Sequence, residues 1–172
     1  MNIVLIGMRG SGKTTVGRLL SEKTGFKFVE CDKLLEQSAG ETIPEFVAKD
    51  GWPKFRDLES KIINDVSEND NTIISTGGGV VEKQENINNL KRNGLLIWLH
   101  AEVEILYARI RKNRNRPLLT SAKFMRGDLK AVFKKRKTLY AESADQIIDV
   151  SNKGIAQIAD EIIIYLKKEG KL

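Results

Sequence analysis

The 172-residue chain reads as an α/β protein with a five-stranded parallel sheet between helical layers. Three observations predict this. Short apolar runs alternate with segments of helical periodicity from one end to the other. A glycine-rich loop joins the first apolar run to the first helix. Chemically suggestive residues follow the first three predicted strands, at the carboxyl edge where such sheets bind ligands.

Asn2 to Ile6 is an unbroken apolar run that suits a buried strand. Gly7 to Gly12 is a loop, and Lys13 to Thr24 a helix with Val16, Leu19 and Leu20 on one face, closed by Gly25. Phe26 to Cys31 is the second strand. Helices follow over Asp32 to Ser38 and Thr42 to Asp50, the latter opened by Thr42 and Glu45 at capping-box spacing. Pro53 at a first turn starts a helix that runs to about Ser67. Thr72 to Ser75 is a strand ending in Gly77, Gly78 and Gly79. Lys83 to Arg92 is helical, Leu95 to Leu99 a strand, Val103 to Lys112 a helix and Asn113 to Ser121 a loop. A helix over Phe124 to Ala141, a strand over Gln146 to Val150 and a helix over Ile155 to Lys168 complete the chain.

The length suits one domain with inserted lobes. The single cysteine, Cys31, allows no intramolecular disulfide and fits a reducing cytoplasm. No signal peptide is visible, and no apolar stretch approaches the ~20 residues of a membrane span. The net charge is +6, but Arg109 to Lys137 holds twelve basic residues and one acid, Asp128, so the remainder is net negative. A basic segment of that kind suggests an anionic partner, a small phosphorylated ligand or a nucleic acid.

Gly7-Met-Arg-Gly-Ser-Gly-Lys13-Thr14 matches G-x-x-x-x-G-K-[ST] between a strand and a helix. Glycines let successive backbone N–H groups point at one phosphate, and the helix N-terminus adds favourable potential for an anion. Lys13 is expected to bridge the β- and γ-phosphates of ATP, and Thr14 to offer its hydroxyl to Mg²⁺. Gly10, Ser11, Gly12 and Thr15 complete the cradle. A plain strand-to-helix turn would need neither Lys13 nor Thr14. A GTPase would carry N-K-x-D, whereas Asn152-Lys153-Gly154-Ile155 lacks the aspartate. A larger ATPase would end an apolar strand in adjacent acids, whereas the third strand ends in Ser75-Thr76 and three glycines.

Asp32, Phe55-Arg56-Asp57-Leu58-Glu59, Gly77-Gly78-Gly79, Arg116-Pro117-Leu118-Leu119 and Arg136 ahead of Leu139-Tyr140 occur in that order and spacing. With them the chain resembles shikimate kinases over nearly its whole length. The resemblance implies a P-loop kinase fold, a three-layer α/β/α sandwich with sheet order 2-3-1-4-5. It also implies a substrate-binding lobe at about 32–60 and a lid at about 112–123. The implied reaction is transfer of the ATP γ-phosphate to the 3-hydroxyl of shikimate, with Mg²⁺. Gluconate or a nucleotide as acceptor, and a non-enzymatic nucleotide- or nucleic-acid-binding module, are the alternatives.

Shikimate is a carboxylate with three ring hydroxyls. Arg56 and Arg136 can fork its carboxylate, and Glu59, three residues from Arg56 on one helix, can hold that fork. Asp32 can accept the attacking hydroxyl's hydrogen bond; a helix N-cap is its other common use. Gly77 to Gly79 permit close backbone approach to the substrate, and Ser75 beside them stands near the metal's hydration shell. The resemblance puts Arg109 against the adenine and Arg116 on the transferring phosphate, with Asn152 and Lys153 bordering the base. Glu30 stands where the family usually carries the first aspartate of D-x-D, and is expected to reach Mg²⁺ through water. Arg136 is read as one ligand residue among solvated neighbours, so Lys134 to Lys137 is not a nucleic-acid patch. His100 is read as structural and Cys31 as a packing residue, and Trp52 and Trp98 as core or lobe residues and not cofactor contacts. The expected partner is one small molecule, with no membrane or nucleic acid, and the chain is expected to be a cytoplasmic monomer.

Overall fold

The computed structural model describes residues 1–111, 118–120 and 124–172. Five parallel strands form one sheet: β1 (Asn2–Ile6), β2 (Lys27–Glu30), β3 (Thr72–Ser75), β4 (Gly94–His100) and β5 (Gln146–Asp149), in the order β2-β3-β1-β4-β5. Strand β1 lies at the centre, where Ile3 to Ile6 have no exposed surface, as an apolar run covered on both faces requires. Its register sets Leu5 beside Ser75 and Ile6 beside Trp98. The order reverses next to β1, so the crevice at its carboxyl end is the expected ligand edge.

Among the described residues, seven helical spans complete the layers: α1 (Lys13–Thr24), α2 (Cys31–Ala39), α3 (Ile43–Ser67), α4 (Gln84–Asn93), α5 (Val103–Ile110), α6 (Met125–Ser143) and α7 (Ile155–Lys168). Helix α1 packs with α7, and α3 with α4 and α2. Among the described residues no helix is long and apolar enough to cross a membrane.

Two local details differ from the sequence-based expectation. Cys31 begins α2 instead of ending β2. Asp32 therefore stands in the first turn of α2, two residues past the cap position, which Glu30 occupies. The two helices expected over 42–50 and from Pro53 are both present within α3, separated by a non-helical kink at Gly51, whose φ of 81° only glycine adopts readily. The Thr42–Glu45 capping box is formed in both directions. A short 3₁₀ turn, Val80–Glu82, follows the triple glycine.

Candidate active site

The loop between β1 and α1 is shaped by its glycines. Gly7, Gly10 and Gly12 have φ of 142°, 83° and 93°. A Cβ at Gly7 would lie 2.7 Å from the Leu99 carbonyl oxygen. No side chain caps α1, so its first turn is open to an anion. Lys13 is buried, and its Nζ donates to the carbonyl oxygens of Gly7 (2.8 Å) and Met8 (3.0 Å), which pins it to the loop it serves. Ser11 Oγ is buried with no partner among the described residues, a vacancy in hydrogen bonding that suits a phosphate oxygen.

A cleft of about 770 Å³ opens on this loop, lined by Gly10, Ser11, Gly12, Lys13, Thr14 and Thr15 together with Glu30, Asp32, Ser75, Arg109 and Lys153. Thr14 Oγ1 donates to Glu30 Oε1 at 2.9 Å, although sixteen residues separate them. A hydroxyl and a carboxylate so placed fit an octahedral cation that keeps most of its water. Among the described residues no cluster of three carboxylate, thiol or imidazole groups offers a fuller metal site. Arg109 donates to Gly10 O (3.3 Å) and Val150 O (2.7 Å), which ties the cleft's outer rim to the loop. Asn152 is exposed and is not part of the lining, while its neighbour Lys153 is.

A second, smaller cavity lies beside the first. Its walls include Asp32, Arg56, Glu59, Gly77, Gly78, Gly79 and Arg136. Residues from α2, α3, the loop after β3 and α6 are thus brought together. Arg9, Asp32 and Gly78 line both spaces, so the two share a wall.

The charges of the second cavity are interlocked. Arg56 Nη1 donates to Glu59 Oε2 at 2.7 Å. Burial raises the Glu59 carboxyl above the ordinary carboxylate range and outweighs the opposing pull of Arg56. Arg136 is 4 % exposed, while Lys134, Lys135 and Lys137 on the same helix are exposed, as the sequence reading held. Cys31 is buried and burial drives its thiol far up, which leaves it inert. Trp98 and His100 stack in the core beside Tyr140 and Phe133. Arg116 and most of the expected lid at 112–123 lie outside the described residues.

A family model described as shikimate kinase matches residues 9–167. The chain belongs to the shikimate kinase family. Two curated relatives in that family, both called shikimate kinase, come from Symbiobacterium thermophilum and Persephonella marina. The first is 40% identical over 99% of each chain. The second is 41% identical over 94% of this chain and 96% of its own. Among solved structures, the shikimate kinase of Acinetobacter baumannii in complex with shikimate superposes with a TM-score of 0.90. It is 35% identical over 99% of this chain and 94% of its own.

Three further residues shape the site, and sequence reasoning gave none of them a role there. Trp52, read as a core or lobe residue, lines the second cavity with Arg56 over its ring at 5.4 Å. Asp128 is fully buried in that cavity's wall. It accepts from Arg9 Nη2 at 3.0 Å and from the N–H groups of Leu119 (2.9 Å) and Thr120 (2.7 Å). Its signal in the sequence was being the lone acid of the basic segment. Glu82 meets both cavity arginines from behind, and nothing in its sequence context marked it.

Proposed function

We propose that the protein is an ATP:shikimate 3-phosphotransferase, with ATP in the larger cleft and shikimate in the smaller cavity. The observation that carries this reading is the shared wall: Asp32 faces both the phosphate loop's cleft and the cavity that holds Arg56 and Arg136. In this reading the two guanidiniums fork the shikimate carboxylate and turn the ring so that its 3-hydroxyl meets Asp32. The hydroxyl oxygen attacks the γ-phosphorus, the bond to the β–γ bridging oxygen breaks, and Asp32 accepts the hydroxyl proton. Lys13 and the loop N–H groups stabilise the charge that shifts onto the phosphate oxygens. Gly77 to Gly79 let the backbone close on the substrate.

Thr14 and, through water, Glu30 would hold Mg²⁺, which would supply positive charge to offset that of the phosphates. Arg109, Lys153 and Asn152 border the base. Arg116, within the proposed lid at 112–123, belongs to the catalytic set, and 32–60 forms the substrate lobe. Arg116→Ala then lowers kcat more than ATP affinity. The enzyme is proposed to act as a cytoplasmic monomer without nucleic-acid or membrane partners.

The test is ADP release in a coupled assay with ATP, Mg²⁺ and a panel of acceptors: shikimate, gluconate and nucleosides. Turnover with shikimate alone, giving a product phosphorylated on the 3-oxygen by NMR, is expected. Tight ATP binding without turnover on shikimate contradicts the substrate assignment.

A further inference from the structure

Glu82 closes the 3₁₀ turn behind the triple glycine, with its N–H bonded to the Gly79 carbonyl at 3.0 Å. Its Oε1 accepts from Arg136 Nε at 3.0 Å, and its Oε2 lies 3.6 Å from Arg56 Nε. Arg56 comes from α3 and Arg136 from α6, so one carboxylate spans two cations that are eighty residues apart. Both arginines line the smaller cavity and Glu82 does not. It stands behind them, against the edge of each guanidinium that faces away from the terminal fork.

We propose that Glu82 is a positioning residue that grips Arg56 and Arg136 by their Nε edges and so aims their terminal N–H groups at the substrate carboxylate. The inference rests on the reading that these arginines bind that carboxylate.

The physical need is plain. Two guanidiniums facing one small cavity repel each other, and each would lose rotamer freedom on binding an acid. A carboxylate shared between them offsets the repulsion and orders both forks beforehand, so less is lost when substrate arrives. Glu82 and both arginines are mostly buried, with side-chain exposures of 21%, 14% and 4%, so the contacts are weakly screened. Burial alone would raise the Glu82 carboxyl, but Arg136, Arg56 and Lys135 hold it below the usual range. It therefore stays ionised where the kinase works. Lys135, 3.4 Å from Glu82 and 70% exposed, adds little as a surface pair. Glu59 hydrogen-bonds Arg56 at Nη1 and acts on Arg136 only through its field, without a hydrogen bond to it.

The test measures kcat and both KM values for Glu82→Gln, Arg136→Lys and the double variant, with melting temperatures alongside. Glu82→Gln is expected to raise the shikimate KM about tenfold, the scale of one charge-assisted hydrogen bond, with kcat and the ATP KM within about twofold. The double variant is expected to raise the shikimate KM by less than the product of the two single effects, because part of the action of Glu82 runs through the Arg136 fork. An unchanged shikimate KM in Glu82→Gln, or equal rises in both KM values, overturns the proposal. If Arg136→Lys also leaves the shikimate KM unchanged, the underlying placement of the carboxylate fails as well, which is a separate result. Should Glu82→Gln fail to fold, Glu82→Asp, too short to span both Nε atoms, is read by the same constants.

Discussion

The guanidinium of Arg56 occupies the space where a side chain at Gly79 would begin: a Cβ there would lie 2.2 Å from each of its terminal nitrogens. The glycine is therefore a condition for the arginine's position. Gly79→Ala displaces the end of a flexible side chain, which costs little stability, but it moves the group proposed to bind the substrate acid. The expected result is a shikimate KM raised at least about tenfold, with the ATP KM unchanged and melting shifted by only a few degrees. Steady-state kinetics against each substrate check it.

Asp128 joins the phosphate loop to residues 119 and 120 through one buried carboxylate. Asp128→Ala leaves Arg9 short of a charged acceptor and strips two backbone N–H groups of theirs. A loss of about 3 kcal/mol is expected, the scale for removing one partner of a buried ion pair. The denaturant midpoint of the variant measures it.

Glu59 and Glu82 hold overlapping arginines yet are shifted in opposite directions. Glu59 is raised in the folded chain by burial, so its contribution is full below the unfolded carboxylate value and is lost as pH rises through the folded one. Glu82 is lowered on balance, so its contribution is full above the unfolded value and is lost as pH falls through the folded one. Stability of the native chain relative to Glu59→Gln should therefore fall with rising pH, and relative to Glu82→Gln should grow. Urea midpoints from about pH 3 to 8, spanning the ordinary glutamate value, check both slopes.

Glu30 bonds to Thr14 across the expected metal position. Glu30→Ala is expected to raise the Mg²⁺ concentration for half-maximal rate several-fold, while Glu30→Asp, which restores the family's usual residue, stays close to the native value. A Mg²⁺ titration of the initial rate at saturating ATP and shikimate decides between them.

Much of this was legible in the sequence, for physical reasons that differ by residue. The phosphate loop reads directly because its backbone needs glycines at fixed offsets and a lysine behind them. The strands read because a parallel sheet buries both faces, so Ile3 to Ile6 and Ile73 to Ile74 are apolar without alternation. Arg56, Asp32 and Arg136 were ambiguous one by one and gained roles only through the family pattern. Glu82, Asp128 and Trp52 were not legible as site residues. Their partners lie 26 to 54 residues away for Glu82 and 119 away for the Arg9–Asp128 pair. No local spacing encodes those contacts, which only the folded sheet brings together; Trp52 and Arg56 are four residues apart in α3, but their place on a cavity wall depends on the fold. The exchange at Cys31 has a similar origin, since the short β2 ends where its pairing with β3 ends, at Glu30 and Ser75.

The most direct test of the central claim concerns the wall between the two cavities. Asp32→Asn keeps the size of the side chain and removes its capacity to take a proton. Coupled ADP release with saturating ATP, Mg²⁺ and shikimate should show kcat reduced by about 10²–10⁴, with ATP affinity by direct titration unchanged. A variant that turns over shikimate at the native rate would contradict the account.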